Sequence, residues 1–358
     1  MAHRTLRVGL IGAGANTRHR HIPGLQALPQ VEIVAVCNRR PASTVAVARE
    51  FNIPHTYDRW EDLIADPDID AVVVGTWPYL HHPIALAALA SGKHILTEAR
   101  MSMSAAEAEE MVQAARHHPE LVAQIVPSPY GLKGDAVMRE LIRDGYLGEL
   151  REVHVFSRNG ALSDPAAPLS WRQDGALSGV NMLALGIVHE TLLRWVPPPV
   201  RVLAQAHAFT PSRIDPESGV RRAVGTPDSV QVLTVLENGA RASYHLSGVT
   251  PFGQGGGIHL YGTEGVLCYD LNTDRIHGTT RSRVTSPAQD ASQPEIPIPK
   301  EKECVWQVES DFVDSIRLRT PVRLTDFQTG LLYMEFTEAV ARSARTGMAV
   351  ELPLEDAD

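Results

Sequence analysis

Val8-Gly9-Leu10-Ile11-Gly12-Ala13-Gly14 reads as a buried strand running into a glycine turn, with a helical stretch from Arg18 to Leu28 behind it. Gly12 permits a tight turn, and Gly14 lets the backbone approach a pyrophosphate. The following helix then aims its N–H groups and partial positive charge at the phosphates, with Ala15 and Asn16 completing the loop. The third fingerprint position holds Thr17 instead of Gly or Ala. A lone glycine motif is weak. This one follows a strand, precedes a helix and lies inside a βαβ unit, and that context makes it a dinucleotide site.

Working outward, short apolar runs alternate with amphipathic ones. Strands are expected at Val31–Cys37, Ala71–Gly75, His94–Thr97 and Leu121–Val126, and helices at Ser43–Phe51 and His82–Ala90, the latter capped by Gly92. Ser104 with Glu107 forms a capping box for a helix to about His117. Strands separated by helices give a parallel, doubly wound sheet over residues 1–126, a Rossmann domain. The end of the second strand bears on the cofactor. An Asp or Glu there would take the ribose 2′-hydroxyl of NAD(H). This chain has Asn38-Arg39-Arg40. Two guanidinium groups suit a 2′-phosphate, so NADP(H) is favoured over NAD(H). Thr76, Trp77, His81 and Glu98 sit at the exits of later strands, the edge where α/β folds bind ligands.

From residue 127 to 358 the character changes to that of a second, α+β domain. A helix at about Asp135–Arg143 leads into a strand at Glu149–Ser157, and a second helix covers Met182–Trp195. β runs follow at 200–209, 228–236, 240–247, 257–262 and 265–269, with Asn238-Gly239 as a hairpin turn. A large, mostly antiparallel open sheet with helices on one face is expected. Pro211–Thr226 and Asn272–Lys300 read as long loops. Helices at about Val305–Arg317 and Thr325–Thr346 close the sequence, the last a candidate to pack back on the first domain.

Composition narrows the class. The 358 residues carry a formal net charge of −9, which argues against a nucleic-acid partner. No apolar run approaches the roughly 20 residues that span a bilayer. The N-terminal residues lack a secretory apolar region, and the three scattered cysteines form neither a disulfide framework nor a metal pattern, so a cytoplasmic protein without a metal is expected.

Several further stretches carry a family resemblance: Thr76–His81, Ser91-Gly92-Lys93-His94, Gly145–Glu152, Leu192-Leu193-Arg194-Trp195, Tyr261-Gly262-Thr263-Glu264-Gly265 and the pattern from Ser310 to Pro353. With the glycine turn they make nearly the whole chain resemble the glucose-fructose oxidoreductase, inositol dehydrogenase and MocA family. The resemblance implies a Rossmann domain plus an open-sheet domain. It also implies hydride transfer between a nicotinamide and a sugar, polyol or related hydroxyl or carbonyl compound, and homo-oligomers formed through the open sheet. The family's catalytic positions do not match. Its Glu-Lys-Pro reads here Glu98-Ala99-Arg100, and in its Asp-x-Gly-x-His-x-x-Asp motif the acidic residues and the His become Ala184, Thr191 and Val188.

An alcohol oxidation still needs a group to take the hydroxyl proton. His189 lies one position past the expected His and is either a displaced base, with Glu190 beside it, or a packed histidine. Tyr130 is a candidate phenolic acid/base and Lys133 a candidate substrate clamp. Arg100, Arg158 and Asn181 are candidate substrate contacts. Three functions stay open: a rebuilt NAD(P)(H) oxidoreductase, a nicotinamide-assisted non-redox carbohydrate enzyme (lyase, hydratase or glycosidase), and a catalytically silent ligand-binding homologue.

Overall fold

The computed structural model describes residues 4–253, 255–283 and 293–355. It forms two compact units. One runs through Pro127 and takes back Gln307–Met334; the other comprises Ser128–Trp306 and the chain from Glu335 onward. The segment Gln307–Met334, assigned above to the second domain, thus belongs with the first. Its core side chains Val308, Phe312 and Val313 are buried, and the Thr325 carbonyl accepts from the Ile125 N–H at 2.9 Å.

The first unit is built on β1 (Leu6–Ile11), β2 (Val31–Cys37), β3 (His55–Tyr57), β4 (Ala71–Val74), β5 (His94–Thr97) and β6 (Ala123–Ile125). Their order in the sheet is β3-β2-β1-β4-β5-β6, and the pairings are parallel. Runs such as Ala71–Val74 are buried on both faces, as strands covered by helices on each side must be. A π turn at Thr17–His21 runs into α1 (Ile22–Gln26). Then come α2 (Pro41–Phe51), α3 (Trp60–Ala65), α4 (His81–Ala90) and α5 (Ala105–His117). The sequence pattern did not reveal the three-residue β3 or the six-residue α3. The Ser104 side chain caps α5 by accepting from the Glu107 N–H at 3.2 Å. The strand order reverses direction between β1 and β4, which opens a crevice at their carboxyl ends.

In the second unit, α6 (Asp135–Arg143), β7 (Leu150–Arg158), α7 (Gly175–Ser178) and α8 (Leu185–Leu193) precede β8 (Pro199–His207). Further along come β9 (Ser212–Ile214), β10 (Arg221–Ala223), β11 (Ser229–Leu236), β12 (Arg241–Ser247), β13 (Gly255–Gly262), β14 (Gly265–Asp270), β15 (Arg275–Thr280) and β16 (Glu295–Ile296). Helix α9 (Val308–Leu318) lies in the first unit. Helix α10 (Phe327–Thr346) contributes its second half to this one, followed by β17 (Val350–Glu351). Nine strands pair in the order β16-β15-β14-β13-β7-β12-β11-β8-β17, antiparallel except for β7 beside β12. Asn238-Gly239 turns β11 into β12, with Gly239 at φ +85°. Alternate residues of the sheet (Val153, Val155, Val230, Val232, Ile258, Leu260) join Met138, Leu185, Val188, Leu192 and Phe336 in one core. The opposite alternation leaves Leu203 and Leu233 exposed on an open face.

The two expected loops contain structure. Within 272–300 lie β15 and β16, while residues 284–292 fall outside the described set. Within 211–226, β9 and β10 form a small antiparallel hairpin. It is held by Arg213, fully buried, which donates to the carbonyls of Leu162, Asp164 and Ala167 at 2.7–2.9 Å. Carbonyl oxygens at that range replace the water a guanidinium needs, and no apolar residue supplies that ligation. Arg213→Met is therefore expected to lower unfolding free energy by roughly 2–4 kcal/mol in urea titration. A loss under about 0.5 kcal/mol would show that these bonds do not hold the hairpin.

Candidate dinucleotide site

Gly12 has φ +86°, and a Cβ there would sit 2.7 Å from the Thr76 backbone nitrogen. The turn can therefore approach the β4 exit only as glycine. At Gly14 a Cβ would meet nothing closer than the Gly75 carbonyl at 3.8 Å, so the space over it is open. Thr17, in the third fingerprint position, is buried and donates to the Gly12 carbonyl at 3.1 Å. Gly75 makes room for it: a Cβ there would lie 2.1 Å from the Thr17 Oγ1 and 2.3 Å from the Gly12 carbonyl. The close approach that the third fingerprint glycine normally permits is here moved to Gly75. Sequence reading passed over this residue because the pairing is set across the sheet.

Around the turn lies a cleft of about 630 Å³ lined by Gly12, Gly14, Asn38, Arg39, Arg40, Thr76 and Trp77, and also by Ser43, Asp58, Arg59, Trp60 and Glu61. Asn38 is engaged within the protein. Its Oδ1 accepts from the Ala13 N–H at 2.6 Å and its Nδ2 donates to the Ser43 Oγ at 3.0 Å, so it braces the turn. The Arg39 guanidinium lies 5.3 Å from the centre of the Trp77 ring, a cation–π arrangement that stiffens both. Arg40 precedes Pro41 at the start of α2, exposed. Thr76 Oγ1 is buried without a partner among the described residues. A glycine cradle that a Cβ would fill, an unpartnered hydroxyl and the arginines that line the cleft together fit a dinucleotide.

Two further groups support the β4 and β5 exits. His81 is buried, with ring nitrogens 3.0 Å from the Thr76 carbonyl and 2.8 Å from the Arg100 carbonyl. Burial holds its pKa below the ordinary value, the carbonyls opposing in part. It ties the loops at Thr76 and Arg100 together. Glu98 follows β5 and accepts from Asn16 Nδ2 and, at 3.0 Å, from His21 Nε2. His21 Nδ1 in turn donates to Glu309 at 2.6 Å. Sequence reading left His21 and Glu309 without a role, since no local signal links residues 288 positions apart.

The second unit corrects four expectations. His189 is 1% exposed, stacks on Phe336 at 3.7 Å and shares a hydrogen bond with the Tyr244 hydroxyl at 2.8 Å. Its Nε2 is buried with no partner among the described residues, and burial lowers its pKa to about 3. It is a core residue and not an exposed base. Glu190 does not orient it: Glu190 pairs with Arg194 at 2.7 Å and accepts from the Ser128 N–H at 2.8 Å. Arg158 lies over Phe156 on the open sheet face. Asn181 is buried and donates to the Ser178 carbonyl at 2.7 Å, closing a turn. In the first unit Arg100, the remaining candidate substrate contact, is likewise buried.

Tyr130 and Lys133 remain displayed. Thr191, which stands where the family has its second Asp, bonds the Ser128 hydroxyl at 2.8 Å and the Tyr130 carbonyl at 3.0 Å. Arg194 adds a bond to the Ser128 carbonyl at 3.0 Å. The loop is pinned by its backbone while the Tyr130 side chain stays outward, the residue being 36% exposed. Lys133 is exposed and pairs with Glu303 at 3.4 Å. Among the described residues no group of His, Cys, Asp and Glu is placed to hold a metal ion, and no helix is long and apolar enough to cross a membrane.

Comparisons agree with this geometry. Residues 6–125 match the model of the GFO/IDH/MocA oxidoreductase family, NAD-binding Rossmann fold, and residues 136–268 match the GFO/IDH/MocA C-terminal domain. A 1,5-anhydro-D-fructose reductase from Ensifer adhaerens is 30% identical over 284 residues, 77% of this chain and 80% of the relative. A levoglucosan dehydrogenase from Pseudarthrobacter phenanthrenivorans is 25% identical over 294 residues, covering 75% and 74% of the two chains. A solved levoglucosan dehydrogenase in complex with NADH and L-sorbose superposes with a TM-score of 0.86 at 22% identity, covering 97% of this chain and 99% of that one. The chain belongs to the GFO/IDH/MocA oxidoreductases. It is a nicotinamide-dependent enzyme of the dehydrogenase/reductase type.

Two predictions separate site from scaffold. Gly14→Ala should melt within about 2 °C of the parent yet bind NADPH roughly ten-fold more weakly, whereas Gly75→Ala should lose both stability and binding, since its Cβ meets backbone. Unchanged NADPH affinity in Gly14→Ala would remove the turn from the site. His189→Leu should leave NADPH affinity and turnover within a few-fold. In the parent, the unfolded chain takes up a proton near pH 6.5 that folded His189 refuses until about pH 3, so stability falls across that window as pH drops. In His189→Leu that part of the acid limb should flatten, and a turnover loss of a hundred-fold or more would restore His189 as the base.

Proposed function

We infer that this enzyme uses NADP(H) in preference to NAD(H) to oxidise or reduce a sugar, polyol or related small hydroxyl or carbonyl compound. The observation that carries the cofactor preference is Arg39, packed on Trp77 beside Arg40 at the end of β2, where Asn38 supplies no carboxylate for a free 2′-hydroxyl. The substrate class rests on the relatives, which are named for an anhydro-fructose and for levoglucosan. Gly12, Gly14, Ala15 and Asn16 would hold the pyrophosphate, and Thr76, Trp77 and Glu98 the remainder of the nucleotide. When bound, the nicotinamide takes or gives the hydride. The protein's own task is to accept or return the hydroxyl proton, and Tyr130 is the exposed phenol on a pinned loop that suits it. Lys133 beside it would bind substrate oxygen. Copies of the chain would associate through the open sheet face that carries Leu203 and Leu233.

Arg39→Ala should raise the KM for NADPH about ten-fold while leaving NADH within a factor of about three. An equal effect on both nucleotides would contradict the 2′-phosphate assignment. In a screen of aldoses, ketoses and polyols followed at 340 nm, Tyr130→Phe should cut kcat by about a hundred-fold with NADPH affinity unchanged. Full activity in Tyr130→Phe would exclude it as the acid/base.

A further inference from the structure

We propose that His21 is a positioning residue for the nicotinamide half of the site: lodged between Glu98 and Glu309, it fixes the Glu98 carboxylate so that Oε2 is presented to the bound nucleotide. This rests on the reading that a nicotinamide dinucleotide occupies the crevice between β1 and β4. In a fold with this strand order the adenosine lies on the β2 side and the nicotinamide reaches toward β5. Glu98 immediately follows β5, at its carboxyl end.

The geometry begins with the π turn. Asn16 and His21 are five residues apart, and on a regular α-helix their side chains would diverge by about 140°. A π turn, hydrogen-bonded i→i+5, winds more slowly and brings them nearer to one side. Both then reach the same Glu98 atom, Oε1, from the glycine turn and from the helix behind it. On its other side His21 meets Glu309 of α9 at 2.6 Å, and Gly24 makes room for that carboxylate, since a Cβ there would lie 2.8 Å from it. Three separated segments thus converge on one fully buried imidazole. Glu98 Oε2 makes no bond among the described residues, and the side chain keeps 17% exposure. An anionic acceptor held on one oxygen and open on the other is fitted to a ribose hydroxyl or a carboxamide N–H.

The charges reinforce this. Burial alone would push the His21 pKa down, but its bonds to Glu309 and Glu98 raise it to about 9. Burial likewise disfavours the Glu98 anion, and the His21 bond and charge overcome that. Among the groups facing His21 are Glu98 after β5, Glu309 on α9 and, through Glu98, the buried His81 at the start of α4, whose pKa is lowered by burial. His21 is therefore a cation at neutral pH. The stability this adds is present below about pH 6.5 and is lost as pH rises through about 9.

The test is the dissociation constant of NADPH for the full-length protein, measured by nicotinamide fluorescence from pH 7 to 10. The parent, His21→Gln, Glu98→Gln and the double variant are compared, with circular dichroism confirming folding. Expected are parent binding that weakens through about pH 9, and roughly ten-fold weaker binding at pH 7.5 in each single variant. Expected too are a double variant no worse than Glu98→Gln and loss of the alkaline limb in His21→Gln. If His21→Gln does not fold, Glu98→Gln and the parent's pH dependence decide: a flat parent profile overturns the proposal. So does a folded His21→Gln that binds like the parent, or additive losses in the double variant. Failure of the parent to bind NADPH or NADH at any pH would instead remove the nicotinamide reading itself.

Discussion

The site depends on how closely two backbone turns pass each other at the carboxyl ends of β1 and β4. Gly12 lies against Thr76, and Gly75 against both Thr17 and the Gly12 carbonyl, at distances no side chain permits. Thr17 spans the contact by bonding the Gly12 carbonyl. Because these turns are locked together, the helix behind them is aimed at the crevice, and Asn38, Arg39 and Trp77 are gathered along one rim. The family's third glycine can be absent here because the room it supplies is created on the neighbouring strand.

A second theme is buried charge held in fixed groupings. Glu98, His21 and Glu309 form one in the first unit, and Glu190 with Arg194 and the Ser128 backbone form another in the second. Each ties residues far apart in sequence, and each ends at a loop bearing a candidate functional side chain. Buried pairs of this kind contribute little net stability against an apolar alternative, but breaking one partner is costly. Their value here is geometric: they hold Glu98 and the Tyr130 loop in place.

The doubly wound half was legible in the residues because its signals are local. Period, capping by Ser104 and Gly92, and the glycine turn all act within a few positions. The hairpin at Asn238-Gly239 was legible for the same reason. What escaped was set across the sheet or across the chain. The β9–β10 hairpin depends on Arg213 finding carbonyls some 50 residues away. The exchange of glycine from the helix to position 75 is invisible along the sequence. For His189 the sequence leaves a displaced base and a packed histidine open, since a helical residue one step from a catalytic position faces elsewhere; it turns into the core against Phe336. Arg158 fell on the outer alternation of β7, the face away from the helices.

The most direct measurement is a fluorescence titration of the purified parent protein with NADPH and NADH, read together with thermal denaturation. The structure predicts a saturable change in nicotinamide emission for NADPH, tighter than for NADH, with a matching rise in melting temperature as ligand binds the folded state alone. A folded protein showing neither response to either nucleotide would contradict the account at its base, because the crevice between β1 and β4 would then not be a dinucleotide site.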